Sequence, residues 1–130
     1  MKILLAEDDY ATRKFMVSFL SQYGECDVTV DGMEAVDAFL MALEDEEPYD
    51  LVCLDIMMPV MDGYQALMGI RNLEKQKNIP KEKEVKVIMT TALNEEQNVK
   101  MAFDLGCTIY SGKPIDQTRF EQALKKLNLI

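Results

Sequence analysis

Four short stretches carry the side chains able to do chemistry: Glu7, Asp8 and Asp9; Asp55; Thr90 and Thr91; and Lys113. Asp55 is the most informative, because it closes the apolar run of "LVCLDIMMPVMDG", Leu51 to Gly63. An unpaired buried carboxylate costs several kcal/mol or gives up its charge. Packing therefore does not account for it. Three or more carboxylates gathered at one place call for a cation, and a hard dication with oxygen ligands suits them. Magnesium is the economical choice, since it takes one or two carboxylates and completes its shell with water and phosphate oxygens. Lys113 adds a positive charge able to pair with Asp55 at rest and with a phosphoryl group later. Thr91 offers a hydroxyl, with room left by Ala92. Held between two cations, Asp55 stays ionised and nucleophilic, able to form an acyl phosphate. Asp9 is equally well read as the N-cap of a helix.

These residues need elements to position them. Short β-branched and leucine-rich runs alternate with segments of helical period, the pattern of an α/β domain around a parallel sheet. Strands are predicted at Ile3 to Ala6, Cys26 to Val30, Leu51 to Leu54, Val85 to Thr90 and Thr108 to Tyr110. Helices are predicted at Ala11 to Gln22, Glu34 to Glu44, Gly63 to Glu74, Glu95 to Leu105 and Gln117 to Leu127. Asn94 and Gln97 have capping-box spacing, Gly106 suits a left-handed C-cap, and Asp116 suits the cap of the fifth helix. The mixed-charge run "EKQKNIPKEKEV" from Glu74 to Val85 reads as a solvated helix end and loop. Ligands of open α/β sheets bind beyond the carboxyl ends of the strands, where strand order reverses. An order of 2-1-3-4-5 puts strands one and three at the centre, and the four stretches above all fall at strand ends.

Composition narrows the function classes. The 130 residues carry 14 basic and 23 acidic side chains, a formal charge of -9. That charge repels nucleic acid and anionic membrane surfaces. No run approaches the ~20 apolar residues of a membrane span. The three cysteines, Cys26, Cys53 and Cys107, lie far apart and read as buried thiols in a reducing cytoplasm. The chain has no histidine, which excludes Ser-His-Asp and Cys-His nucleophiles and any role as phosphohistidine donor.

The motifs "ILLAEDD" with Arg13 five residues after Asp8, "LDIMMPVMDG", "VIMTTA" and "YSGKP" resemble the receiver domain of two-component response regulators. Single-domain members such as the chemotaxis regulator are the nearest likeness, and Lys113 follows Thr91 by 22 residues, as in that family. The resemblance implies a flavodoxin-like, doubly wound fold: a five-stranded parallel sheet of order 2-1-3-4-5 with five flanking helices. Residues 1 to 130 would form one receiver domain, with no output domain.

It further implies that Glu7 and Asp8 are the acidic pair, Asp8 the closer ligand to Mg2+, with Asp55 and the Met57 backbone carbonyl completing the protein's ligands. Asp55 would be the phosphoacceptor, Thr91 and Lys113 would hold the phosphoryl group, and Tyr110 would be the switch aromatic. Lys113-Pro114 would be a cis peptide. The donor would be a histidine kinase or histidine phosphotransfer protein, and output would be a contact with a downstream protein or onward transfer, in the cytoplasm, without DNA or membrane insertion. The longer segment before the fourth strand departs from the family pattern.

Two further expectations concern the rim. Met57 and Leu93, two residues after Asp55 and Thr91, are apolar and unable to orient a hydrolytic water, which predicts a long-lived phosphorylated state. Met57, Met58 and Met61 are expected to pack into core or loop rather than form an adaptable docking surface. Rival readings fit less well. A haloacid-dehalogenase-type phosphatase needs an acid where Met57 stands, and a flavin binder needs a phosphate cradle where Glu7, Asp8 and Asp9 would repel it. An inert receiver-like scaffold would lack one of the key side chains.

Overall fold

The computed structural model describes residues 1–92 and 96–130, and side chains only outside 93–98. The elements run β1 (Lys2–Ala6), α1 (Tyr10–Leu20), β2 (Glu25–Thr29), α2 (Gly32–Glu44), β3 (Leu51–Asp55), α3 (Gly63–Gln76), a 3-10 turn (Lys81–Lys83), β4 (Lys86–Thr91), α4 (Glu96–Asp104), β5 (Ile109–Gly112) and α5 (Gln117–Lys126). All strand pairings are parallel, as the sequence pattern predicts, and the order is β2-β1-β3-β4-β5, as the resemblance implies. Boundaries among the described residues lie within two residues of the expected ones, and the expected start of the fourth helix at Glu95 lies outside the described residues.

Strand alternation divides the core in two. Leu4, Ala6, Val52, Leu54, Val87 and Met89 point to one face, where they meet Phe39 of α2, Ile70 of α3 and Ala102 of α4. Ile3, Leu5, Leu51, Cys53 and Ile88 point to the other, against Met16 and Phe19 of α1 and Phe120 of α5. β3 is buried along its whole length, as a central parallel strand covered on both faces should be. Phe19 and Phe120 meet edge to face at 5.8 Å, which fixes α1 against α5.

Side-chain caps start most of the helices. Asp9 accepts from Thr12 N at the start of α1, which settles its role as an N-cap, and Asp31 and Asp116 do the same for α2 and α5. Asp62 and Gln65 form a full capping box on α3. The proposed cap by Asn94 lies outside the described residues.

The segment from Glu74 to Val85 is the solvated helix end and loop expected of it over residues 75–84, but its two end residues are buried. Glu74 is 1% exposed, and its carboxylate accepts from Val85 N at 2.7 Å and from Arg71 Nη1 at 2.7 Å. Arg71 also donates to Val85 O and twice to Gly106 O. One buried ion pair thereby ties α3 to the start of β4 and to the turn between α4 and β5.

Candidate functional site

Register builds the site. β1 and β3 pair Ile3 with Leu51 through Ala6 with Leu54, so the next step along the two strands brings Glu7 beside Asp55. Both residues continue the alternation of the α1/α5 face, Glu7 after Ile3 and Leu5, Asp55 after Leu51 and Cys53. On the other side of β3, Asp55 pairs with Thr90, and Ile56 N donates to Thr90 O. β5 pairs Gly112 with Thr91, and Lys113 N donates to Thr91 O, which delivers Lys113 to the same strand ends. The Lys113-Pro114 peptide is cis, as the resemblance implies.

The backbone around the acids is held in place. Arg13, one turn into α1, donates from Nη1 to the carbonyls of Glu7 and Asp8 at 3.1 and 3.2 Å. Gly63 is required where it stands: its N–H donates to Ile56 O, and any Cβ would run into the carbonyl of Asp55. The aspartate before it, Asp62, caps the start of α3 and ends the loop that follows β3. The sequence carried a signal for this cap in the spacing of Asp62 and Gln65, the same spacing noted at Asn94 and Gln97.

Within this frame one oxygen from each of Glu7, Asp8 and Asp55 lies within 4.8 Å of the others. Glu7 and Asp55 are buried and Asp8 is exposed. Lys113 Nζ lies 2.6 Å from Glu7 Oε1 and 3.3 Å from Asp55 Oδ2. Burial pulls the ammonium down, but the hydrogen bonds and charges of Glu7 and Asp55 outweigh it and raise Lys113 above an ordinary lysine. Burial, then the hydrogen bond and charge of Glu7, push Asp55 up to about 7 against the pull of Lys113. Three carboxylates facing one ammonium leave an excess of negative charge, and a small hard dication is the group this donor set fits.

Glu7, Asp8, Asp55, Thr91 and Lys113 are thus brought together at one end of the sheet, and Thr91 is fully buried there. Tyr110 is half-buried on β5 and packs against the α2/α3 side of the core. The rim corrects one expectation. Met58 is buried and Met61 packs on the core, but Met57 is 62% exposed. Leu93 lies outside the described residues.

Comparison with known proteins gives one consistent answer. The family model for the response regulator receiver domain matches residues 3–125. A probable histidine kinase 2 from Oryza sativa subsp. indica is 34% identical over 134 residues, which cover 95% of this chain and 12% of the kinase. The chain therefore spans a small part of that relative. The Borrelia burgdorferi CheX-CheY-BeF3-Mg+2 complex contains a chain that superposes with a TM-score of 0.84 at 29% identity, over 98% of this chain and 89% of that one. A complex of Saccharomyces cerevisiae Ypd1, a histidine phosphotransfer signaling protein, with the receiver domain of Ssk1 supplies another, with a TM-score of 0.83 at 25% identity over 97% and 87% of the two chains.

Proposed function

This chain belongs to the response regulator receiver domain family, and from that premise we propose that Asp55 is its phosphoacceptor. The observation that carries the reading is the buried Asp55 carboxylate at the end of a central strand, clustered with Glu7 and Asp8 and paired with Lys113. An Asp55 oxygen attacks phosphorus of a phosphohistidine on a histidine kinase or phosphotransfer protein. The P–O bond to Asp55 forms as the P–N bond breaks, and the leaving imidazole takes a proton from solvent. Lys113, kept protonated by its two carboxylate partners, follows the charge onto the phosphoryl oxygens, and the Thr91 hydroxyl donates to another of them.

Glu7, Asp8, Asp55 and the Met57 carbonyl would hold magnesium. When bound, the ion offsets the negative charge of the acids and of the incoming phosphoryl oxygens. Asp55 must be ionised to attack, so cation binding beside it favours the reactive form. Water later attacks phosphorus, the P–O bond to Asp55 breaks, and inorganic phosphate leaves. The chain catalyses these two steps on itself and acts as a switch on a downstream protein, residues 1–130 serving as one phosphoacceptor domain. Its three free thiols suit the reducing cytoplasm, and no described helix is long and apolar enough to cross a membrane.

A bond from the Thr91 hydroxyl to the phosphoryl group draws Thr91 inward and opens space for the half-buried Tyr110 ring to turn further in, which alters the surface offered to a target. The deciding experiment is intact mass after incubation with a small phosphodonor such as phosphoramidate, with and without magnesium. One acid-labile phosphoryl group is expected on the parent with the metal and none on Asp55→Asn, whose amide is not a competent nucleophile. Uptake by Asp55→Asn under the same conditions would overturn the assignment.

A further inference from the structure

We propose that Thr90 is a further catalytic residue of the phosphoryl-transfer site, its hydroxyl donating to the Asp55 carboxylate in the transition state as Lys113 moves onto the phosphoryl oxygens. The inference rests on the assignment of Asp55 as acceptor and adds a group to that site. Register places Thr90 there. It pairs with Asp55 on one neighbouring strand and with Ser111 on the other, and paired residues of a parallel sheet present their side chains to the same face. The alternation along β4 agrees: Val87 and Met89 face α2, α3 and α4, whereas Ile88 faces α1 and α5, and Thr90, two residues on, shares that face with Asp55. β4 lies between β3 and β5 in the sheet. Lys113, which follows β5, therefore reaches Asp55 Oδ2 at 3.3 Å and Glu7 Oε1 at 2.6 Å across the end of β4, where Thr90 stands.

Folding does not call for this hydroxyl. Thr90 is 5% exposed, and valine has the same branched shape with no polar group to desolvate. The hydroxyl makes no hydrogen bond among the described residues, and none of their fully buried polar side-chain atoms lacks one, so it keeps contact with solvent. It is an unused donor beside the acceptor. In the resting chain Lys113 meets the charge of Asp55. As one Asp55 oxygen bonds to phosphorus and the P–N bond of the donor breaks, Lys113 follows the charge to the phosphoryl oxygens. The second Asp55 oxygen then loses its partner while it still carries negative charge. The Thr90 hydroxyl replaces the bond that Lys113 gave up, and no proton is transferred. An interaction missing at rest and made in the transition state lowers the barrier without tightening the binding of the donor. Hydrolysis returns charge to the same pair of oxygens and uses the same contact.

The experiment loads the full chain from phosphoramidate in excess magnesium, reads uptake and later loss of the phosphoryl group by intact mass, and compares Thr90→Val, Thr90→Ser and Ser111→Ala. Thr90→Val should slow uptake at saturating donor roughly tenfold, the scale of one hydrogen bond to a charged group, and should slow loss as well. Its half-saturating phosphoramidate concentration and magnesium affinity should match the parent's, and its urea midpoint should be no lower. Thr90→Ser keeps the hydroxyl and should recover most of the rate. Ser111→Ala removes a hydroxyl from the same face, one strand farther from Asp55, and should behave as the parent does. Parent-like uptake or loss in Thr90→Val would overturn the proposal, as would a Thr90→Ser variant no faster than Thr90→Val. Slowing accompanied by weaker magnesium binding, a raised donor requirement or a lower midpoint, or shared by Ser111→Ala, would mark a structural role and overturn it too. Phosphoryl uptake by Asp55→Asn would instead overturn the acceptor assignment, and this role of Thr90 with it.

Discussion

The ammonium of Lys113 rests 2.6 Å from the carboxylate of Glu7, closer than its 3.3 Å approach to Asp55. Glu7 is 2% exposed and has no other cation within 4 Å among the described residues. The lysine thus answers first to the buried glutamate, and Asp55 receives the weaker share. In this state Asp55 retains a proton to about pH 7, because burial and Glu7 together outweigh Lys113.

That imbalance predicts how stability depends on pH without metal. The pKa of Asp55 is raised from 3.8 to about 7 by folding, so between those values the native chain holds a proton that the unfolded chain has released. Stability rises with pH only where the unfolded state binds more protons. Here the Asp55 contribution falls as pH rises through that window. Chelator-treated protein should melt at a higher temperature near about pH 5.5 than near about pH 7.5, and Asp55→Asn should flatten the difference. A parent and an Asp55→Asn variant with the same pH slope would show that Asp55 is not the group responsible.

Asp8→Asn should weaken magnesium binding, by roughly tenfold or more, since it removes a ligand charge and almost no volume. Asp8 is exposed, so the variant's unfolding free energy from urea denaturation should change by less than about 0.5 kcal/mol. Titration calorimetry with magnesium reads the first quantity, and an affinity equal to the parent's would remove Asp8 from the ligand set.

Thr91→Ala should separate acquisition of the phosphoryl group from its consequence. Thr91 is fully buried at the end of β4, one position beyond Thr90, which pairs with Asp55. The variant should still take up phosphorus from a small donor. Fluorotyrosine incorporation, with Tyr110→Phe to assign the resonance, should show the Tyr110 signal shifting on phosphorylation in the parent and staying fixed in the variant. A full shift in Thr91→Ala would mean the ring responds through another route.

Much of this was legible in the residues, for reasons that differ by region. Asp55 announced itself because a carboxylate ending an apolar strand has few explanations, and the parallel topology then fixed which other strand ends lay nearby. The Glu7–Lys113 contact was not legible, because a pairing between side chains on strands at different positions of the sheet depends on register and rotamer. Met57 and Met58 are adjacent and chemically identical, so only the turn of the loop decides which is buried. The run from Glu74 to Val85 reads as solvated because its charges are close in sequence, yet its first glutamate is buried by contacts to Val85 and Arg71.

Glu74→Ala should accordingly be among the most damaging substitutions outside the acidic cluster. It leaves Arg71, whose side chain is 13% exposed, without its carboxylate, and Val85 N without its acceptor. Removing one partner of a buried ion pair costs about 3–5 kcal/mol. Urea denaturation should show a loss of that order, and a loss below about 1 kcal/mol would place the pair in the weak class of surface bridges. Glu74→Gln, which keeps an acceptor for Val85 N, should lose less.

Val60 should yield a substitution that stabilises the fold. It lies in the loop between β3 and α3, has φ at +68°, and is 79% exposed. A β-branched side chain in the left-handed region is strained, by roughly 1–2 kcal/mol, and the exposure means that its methyl groups recover little by packing. Asparagine visits this region readily and adds no freedom to the unfolded chain of the kind glycine would. Val60→Asn should therefore raise the urea midpoint, by roughly 0.5–1 kcal/mol in stability, while phosphoryl uptake from a small donor stays as in the parent, because the acids, Thr91 and Lys113 are untouched. Val60→Gly should gain less, since the relief of strain is offset by the greater entropy of the unfolded chain. A midpoint that falls with asparagine would show that the valine methyl groups hold the loop in a way its exposure does not reveal.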